Sequence, residues 1–173
     1  MGLGKTVQAL ALASYYRSAW PVLIVCPSTL KYNWQAAVFR WLPSSVSEQE
    51  ISVISSGRDY IGSDLFTVIS YDLVTKKQEE LLSKKFQFII LDESHCIKDS
   101  KSGRTRAVEP LLRAARHLVF LSGTPALSRP IELFSQLQAL QPRLFRWVSE
   151  FGNRYCAGYM KVASTNIDVC KDH

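Results

Sequence analysis

Short runs of β-branched and aromatic residues alternate with longer amphipathic stretches along this sequence, and this alternation limits the possible folds more than any other feature. Parallel strands are joined by crossover helices, so the pattern predicts an α/β fold with a mostly parallel sheet and helices on both faces. The predicted strands are residues 22–26, 51–54, 66–70, 86–91 and 118–122. The predicted helices are residues 5–18, 29–41, 72–83, 104–116 and 130–140.

The composition fits one folded domain. The chain has 173 residues, and its 47% hydrophobic content is too high for a disordered tail. Its longest apolar runs, at 22–26 and 88–91, are far shorter than the roughly 18 residues of a membrane helix, so no membrane partner is expected. The net charge of +6 suits a polyanionic partner such as DNA, but it also suits an ordinary solvated surface.

Cysteine and histidine spacing argues against a zinc site and against a disulfide framework. None of the four cysteines forms a Cys-x-x-Cys pair, and the three histidines form no ligand pair around them. Reduced thiols indicate an intracellular protein, and no secretion signal follows the first residue. A cytosolic or nuclear site of action is therefore expected.

A glycine-rich turn at residues 2–6, Gly-Leu-Gly-Lys-Thr, opens the first predicted helix. This is the second half of a Walker A phosphate loop, whose first glycine would lie before Met1. In such a loop the glycine backbone and the helix N-terminus approach phosphate oxygens, Lys5 reaches the β and γ phosphates, and the Thr6 hydroxyl ligates Mg²⁺. The same start also fits the Met-Gly-x-x-x-Thr pattern of N-myristoylation, which applies only if Met1 is the initiator.

Two adjacent carboxylates, Asp92 and Glu93, follow the apolar strand predicted at 86–91. The carboxyl ends of parallel strands present ligand-binding groups, so this position suits Asp92 as a Mg²⁺ ligand. Glu93 would then orient and deprotonate the water that attacks the γ phosphate. The alternative is a strand that simply ends in an Asp-Glu turn, and the phosphate-loop pattern upstream favours the site.

The last predicted strand, 118–122, leads into a third polar segment, Ser122-Gly-Thr-Pro-Ala126. Its hydroxyls would reach the same edge of the sheet and sense what the carboxylates bind. The alternative is that Ser-Gly-Thr-Pro is only a favourable turn.

The order of these motifs resembles helicase superfamily two, and within it the Swi/Snf-like translocases of double-stranded DNA. The segment 22–30 with Trp34 resembles motif Ia of that family, and 67–72 resembles motif Ib. Ser94 within Asp-Glu-Ser-His, together with 126–133 and 154–156, is most similar to the annealing-helicase branch of HARP-type, SMARCA-like proteins. The resemblance implies a RecA-like P-loop lobe over residues 1–155, incomplete at its N-terminus. It also implies a divergent, loose tail at 156–173, so that the lobe is truncated at both ends.

The resemblance also implies roles for individual residues. ATP would be bound by Gly2, Leu3, Gly4, Lys5, Thr6, Val7 and Gln8, and Mg²⁺ by Thr6 and Asp92. The catalytic residues would be Lys5, Asp92, Glu93 and His95. His95 would relay the nucleotide state through Ser122, Gly123 and Thr124, and the DNA backbone would contact Pro27, Ser28 and Tyr71.

Two tryptophans and three lysines are further candidates for contact with nucleic acid. Helical spacing predicts that Trp34 and Trp41 lie in the core rather than stacking on bases. Lys31, Lys98 and Lys101 are further candidates for phosphate contact, although exposed lysines require no such explanation.

The expected parent protein is a nuclear, ATP-dependent DNA translocase or annealing helicase that acts in DNA repair or replication-fork remodelling. Its second RecA-like lobe would supply arginine fingers, whose loss costs roughly 10³ to 10⁵ in rate, so the isolated chain is expected to be weak or inactive. Two alternatives stay open: another kind of phosphate-loop protein, and a non-catalytic product that binds nucleotide, DNA or a partner without turnover. No Asn-Lys-x-Asp guanine-reading motif is present, which weakens the first alternative.

Overall fold

The computed structural model describes residues 3–97, 102–123 and 130–156. Within these residues five strands form one fully parallel sheet in the order β2-β3-β1-β4-β5. The strands are β1 (Val22–Cys26), β2 (Ile51–Val53), β3 (Phe66–Ser70), β4 (Phe88–Asp92) and β5 (His117–Leu121). The α-helices are α1 (Lys5–Tyr15), α2 (Lys31–Trp41), α3 (Tyr71–Ser83), α4 (Gly103–Ala114), α5 (Phe134–Leu140) and α6 (Val148–Tyr155). Short 3₁₀ helices lie at Arg17–Ala19, Ser28–Leu30, Glu48–Glu50, Ser94–Ile97 and Pro130–Leu133.

The α/β class, the parallel sheet and all five predicted strands are confirmed, with strand ends that differ by two residues at most. Four of the five predicted helices are shorter in the structure, and α3 begins one residue earlier than predicted. The first ends at Tyr15 and continues as a separate 3₁₀ turn, and the one predicted at 130–140 begins with a 3₁₀ turn. Helix α6 was not predicted.

Helices cover both faces of the sheet, as expected. On one face Leu10 of α1 and Val38 of α2 share a buried cluster with alternate strand residues such as Ile24 and Ile90. On the other face the residues between them in sequence, including Leu23 and Ile89, pack against α3 and α4. Successive side chains of a strand point to opposite faces, so each strand serves both clusters.

Burial differs between the strands. Every residue of β1, β3 and β4 is buried, which is usual for a parallel sheet that is covered on both faces. Strand β5 forms one edge of the described sheet, and only Leu121 at its end is buried. An open groove of about 880 Å³ runs beside β5, lined by residues of α1, α4 and α5 among others.

The C-terminal part of the described chain is held by aromatic packing. Phe151 of α6 contacts the rings of Phe134, Phe145 and Tyr155. The predicted tail at 156–173 lies outside the described residues except for Cys156. Among the helices of the described residues, none has the length and apolar content needed to cross a bilayer.

Candidate nucleotide-binding site

The carboxyl ends of four strands meet at one edge of the sheet. The pairing register places Cys26 beside Ser70, Val25 beside Leu91, and Asp92 beside Leu121. The segments that follow these strands begin with Pro27, Tyr71, Glu93 and Ser122. The predicted motifs Ia and Ib, the Asp-Glu-Ser-His segment at 92–95, called motif II below, and the start of the Ser-Gly-Thr-Pro turn therefore share this edge.

The contacts at the end of helix α1 indicate that it runs opposite to the strands, with its first residues toward the same edge. Tyr16, just after α1, stacks on His117, the first residue of β5, with ring centroids 4.3 Å apart. It also contacts Phe88, the first residue of β4. An 11-residue helix is about 16 Å long, close to the length of a five-residue strand. Because the end of α1 lies at the amino ends of β4 and β5, its beginning, with Lys5 and Thr6, lies at their carboxyl ends.

The start of α1 has the features of an anion site. Gly4 precedes the helix with φ of 68°, a left-handed conformation that glycine adopts without strain, and no side chain caps the first turn. Within the described residues, the first N–H groups of α1 thus have no side-chain cap, and the first turn, at the positive end of the helix dipole, contains no acidic residue. Lys5 and Thr6 are half-buried. Gly2 of the predicted loop lies outside the described residues.

The rest of the predicted loop is accessible. Leu3, Val7 and Gln8 are exposed, and the Gln8 side-chain amide donates a hydrogen bond to the Leu3 carbonyl at 2.8 Å. This bond holds the loop residue before Gly4 against the first helical turn.

Asp92 is buried at the end of β4, with 8% of its surface exposed, and both carboxylate oxygens accept hydrogen bonds. The Trp34 indole N–H donates to Oδ2 at 2.9 Å, and the Glu93 backbone N–H donates to Oδ1 at 3.0 Å. Each carboxylate oxygen has two lone pairs and accepts one bond from the described residues, which leaves one lone pair on each oxygen for a further partner. These two donors compensate the burial of the negative charge.

Glu93, His95 and Ser122 form a connection between β4 and β5. The His95 Nδ1 atom lies 3.2 Å from a Glu93 carboxylate oxygen and 3.2 Å from the Ser122 hydroxyl oxygen. A carboxylate only accepts hydrogen bonds, so this contact favours the tautomer with a proton on Nδ1. The predicted contact of His95 with Ser122 is therefore present, Gly123 is exposed beside it, and Thr124 lies outside the described residues.

Two neighbouring groups are held neutral. Burial, followed by the charge of Asp92, raises the pKa of the Cys26 thiol to about 12. Burial also raises the pKa of Tyr71 well above its usual range. The Tyr71 hydroxyl therefore stays protonated, and it donates to the Asp92 carbonyl oxygen at 2.8 Å.

The residues at this edge fit Mg²⁺ bound together with a nucleotide. Magnesium usually keeps several waters and takes one or two carboxylates plus phosphate oxygens, rather than a complete cage of protein ligands. Asp92 retains free lone pairs, and Thr6 supplies a hydroxyl in the first turn of α1. The acceptor oxygens and the cationic Lys5 together match a metal–phosphate ligand.

Three predictions about other residues need correction. Tyr71 is 3% exposed and bonded to Asp92, so its side chain does not fit the expected DNA contact. Lys31 is buried and donates to the Ile54 carbonyl at 2.9 Å, so its ammonium group does not face phosphates. Trp41 is 49% exposed near the end of α2, where it covers little of the core.

The other predictions of this kind are compatible with the structure or lie beyond it. Trp34 is in the core, as predicted, with 2% of its surface exposed. Pro27 is half-buried and Ser28 is exposed at the carboxyl edge. Lys98 and Lys101 lie outside the described residues.

Sequence reasoning missed two polar contacts. Trp34 is predicted to lie in the core, and its indole N–H also donates a hydrogen bond to Asp92. A buried indole usually has a hydrogen-bond acceptor, so the sequence could have indicated that Trp34 has a polar partner. The Ser94 hydroxyl donates to the Gln136 side-chain oxygen at 2.8 Å, joining the segment after β4 to α5. Because no local sequence pattern links residues 42 positions apart, this contact could not be predicted from the sequence.

The SNF2-related domain model matches residues 1–169 of this sequence. The chain belongs to the SNF2-related family. It is 46% identical over 156 residues to the Xenopus laevis SWI/SNF-related matrix-associated actin-dependent regulator of chromatin subfamily A-like protein 1. That match covers 90% of this chain and 16% of the relative. The chain is also 41% identical over 167 residues to the Bos taurus DNA annealing helicase and endonuclease ZRANB3. This second match covers 93% of the chain and 16% of the relative.

The fold of this SNF2-related chain also matches a solved structure. The Sulfolobus solfataricus SWI2/SNF2 ATPase core in complex with dsDNA aligns with a TM-score of 0.77 and 24% identity, covering 91% of this chain and 33% of that chain. This likeness supports the RecA-like architecture of the lobe. The present chain spans about one sixth of the length of the two relatives named above.

Proposed function

We propose that this chain is the ATP-binding lobe of an ATP-dependent DNA translocase of the annealing-helicase branch. The observation that carries the proposal is the contact of Tyr16, just after α1, with the first residues of β4 and β5. It supports the inference that the start of α1, with Lys5 and Thr6, lies on the same side of the sheet as the paired carboxylates at the end of β4. A basic side chain, a helix N-terminus and paired carboxylates are the groups required for binding Mg²⁺ and a triphosphate.

Each residue has a distinct task in this proposal. The N–H groups after Gly4 and the Lys5 ammonium bind phosphate oxygens, while Thr6 and Asp92 hold Mg²⁺. Bound magnesium would neutralise charge on the phosphates. Glu93 orients the attacking water and accepts its proton, and His95 transmits the change at Glu93 to Ser122 on the next strand.

DNA binding and the biological setting are part of the same proposal. One relative is named as a DNA annealing helicase, and the solved SWI2/SNF2 core is described in complex with dsDNA. Pro27 and Ser28, which lie at the carboxyl edge, would contact the sugar–phosphate backbone of duplex or branched DNA. We place the parent protein in the nucleus, in repair or replication-fork remodelling, with a second RecA-like lobe completing the site.

The nucleotide site is tested by binding of a fluorescent ATP analogue to this chain in Mg²⁺. Lys5→Ala removes a charge-assisted hydrogen bond of about 1.5–3 kcal/mol, so affinity should fall roughly 10- to 100-fold. Lys76→Ala, on the exposed side of α3, is the matched control and should not change affinity. Equal affinity of the wild type and Lys5→Ala would refute the Lys5 assignment.

Turnover and DNA use are tested in the parent protein. Lys5→Ala should abolish DNA-stimulated hydrolysis there, and log affinity for DNA should fall linearly with log salt, with a slope of about 0.9 per neutralised phosphate. A salt-insensitive complex would contradict contact with the backbone. The second candidate is that the chain on its own binds nucleotide without turnover, which is favoured by the single sheet that the described residues form. Hydrolysis by the isolated chain at the rate of the parent would exclude it.

A further inference from the structure

The peptide group between Asp92 and Glu93 is held on both of its sides. Its carbonyl oxygen accepts the Tyr71 hydroxyl at 2.8 Å, and its N–H donates to the Asp92 carboxylate at 3.0 Å. The next bond along the chain is strained, because Glu93 has φ of 50°, a left-handed conformation that is unfavourable for a residue with a side chain. The two candidate carboxylates therefore follow one another across a fixed peptide plane.

The two aromatic residues reach this point from opposite faces of the sheet. Trp34 lies on α2, in the cluster that contains Leu10 and Ile90, and Tyr71 begins α3, in the cluster that contains Leu91. Both side chains are at least 97% buried, so neither hydrogen bond competes with water. The end of β4 is clamped between the two layers of helices.

The Trp34 bond determines how the Asp92 carboxylate is oriented. One oxygen is bound to the peptide that follows, so without a second donor the carboxylate could rotate about its terminal bond, which has a broad torsional minimum. The indole N–H at 2.9 Å fixes the second oxygen and leaves the remaining lone pairs in defined directions. Donors of this kind, which hold a metal ligand without touching the metal, typically change metal affinity or activity 10- to 100-fold when removed.

We propose that Trp34 and Tyr71 are positioning residues of this site: Trp34 orients the Asp92 carboxylate for Mg²⁺, and Tyr71 fixes the peptide that presents Glu93. This inference rests on the proposed function, since it concerns the same site. It adds that Trp34, on α2, determines how strongly magnesium strengthens ATP binding, and that Tyr71, on α3, determines how fast the bound ATP is hydrolysed.

The test compares Trp34 with Trp20, a half-buried tryptophan that packs against the same cluster. Trp34→Phe and Trp20→Phe each keep an aromatic ring and remove an indole N–H, but the Trp20 N–H donates to the Ala13 carbonyl at 2.8 Å and not to Asp92. The affinity of each variant for a fluorescent ATP analogue is measured with Mg²⁺ and with EDTA. Trp34→Phe should reduce the Mg²⁺-dependent gain in affinity about 10-fold while the affinity in EDTA stays unchanged. Trp20→Phe should leave the Mg²⁺-dependent gain at the wild-type value, whatever it does to stability.

Tyr71 is tested in the same way against an exposed tyrosine. Tyr71→Phe removes only the hydroxyl that binds Asp92, whereas Tyr32→Phe removes a hydroxyl paired with Ser55 on the surface. Since Tyr71 acts on the peptide before Glu93, Tyr71→Phe should lower hydrolysis by the parent protein about 10-fold and leave its KM for ATP unchanged. Tyr32→Phe should match the wild type, and an equal kcat for both variants would overturn the role of Tyr71.

A second measurement requires no nucleotide. In a ¹H–¹⁵N spectrum of the chain, Asp92→Asn should move the indole resonance of Trp34 and leave that of Trp20 in place. An unmoved Trp34 resonance, or an equal Mg²⁺-dependent gain in Trp34→Phe and Trp20→Phe, would overturn the inference. Failure of the wild-type chain to bind Mg²⁺·ATP would instead refute the proposed function, so the two failures are distinguishable.

Discussion

Because the backbone at Glu93 is left-handed, we expect the Glu93→Gly variant to have a higher free energy of unfolding than Glu93→Ala. In a helix the order of these two substitutions is the reverse. Both variants remove the carboxylate, so the difference between Glu93→Gly and Glu93→Ala reports the conformation alone. The backbone cannot easily escape this conformation, because the Glu93 N–H is bound to Asp92 and its carbonyl accepts the Cys96 N–H at 2.9 Å.

The magnitude follows from two opposing terms. A side chain at positive φ costs about 1–2 kcal/mol, which glycine avoids. Glycine loses about 0.4–1 kcal/mol more conformational entropy on folding than alanine does. Taking the middle of both ranges, Glu93→Gly should be more stable than Glu93→Ala by about 0.8 kcal/mol, or roughly 2–3 °C in Tm for a chain of this size.

Glu79 provides the matched control, because it is an exposed residue within α3 and outside the candidate site. Glycine in a helix interior is about 1 kcal/mol less stable than alanine, so Glu79→Gly should unfold more easily than Glu79→Ala. Urea unfolding of the four variants, followed by circular dichroism, measures both differences. If glycine is the less stable residue at position 93 by the same amount as at position 79, the strain argument is wrong.

Hydrolysis by the same two variants distinguishes the effect of backbone strain from the effect of removing the Glu93 carboxylate. Both Glu93 variants should lose DNA-stimulated hydrolysis in the parent protein, since neither has a carboxylate to accept the proton of water. The difference in stability between the two variants therefore reports the backbone conformation, and their shared loss of hydrolysis reports the carboxylate. Hydrolysis by Glu93→Gly at the wild-type rate would exclude Glu93 as the base.

Three further predictions concern contacts around the site and in the helices. Ser94→Ala removes a buried hydroxyl that donates to the Gln136 side chain, and it should lower the free energy of unfolding by about 1–3 kcal/mol in urea titration; a change below 0.5 kcal/mol would contradict the contact. The hydrogen bond from the Lys77 ammonium, with a second from the backbone, lowers the pKa of Glu80, so its stabilising effect is present above the usual carboxyl pKa and is lost as pH falls through the lowered value. Thermal unfolding from pH 5 to pH 3 should therefore show a smaller loss in Glu80→Gln than in the wild type, and parallel curves would contradict this. Because burial raises the pKa of Cys26 to about 12, iodoacetamide at pH 8 should alkylate Cys26 only after unfolding, as mass spectrometry of its peptide would show; labelling of the folded chain would contradict that burial.

Sequence patterns predicted the sheet well because its signals are local. The run 22–26, for example, is bounded by Pro21 and Pro27, and a strand buried on both faces has a continuously hydrophobic sequence. The paired acids after β4 were likewise visible, since Asp92 and Glu93 are adjacent in sequence. Helix ends were harder to predict because packing and 3₁₀ turns, rather than capping residues, end α1.

The features that the sequence did not predict depend on contacts between residues far apart in the chain. Tyr71 was expected at DNA because motif Ib lies at the carboxyl edge, but its position at the first residue of α3 turns the ring inward beneath β4. Trp34 and Asp92 are 58 residues apart, and only the packing of α2 on the sheet brings the indole to the carboxylate. A sequence motif therefore identifies the groups that meet the nucleotide, while the groups that hold them in place come from both helix layers. The orientation of Asp92 is for this reason a property of the folded sheet with its helices, and a segment that carried motif II alone would lack it.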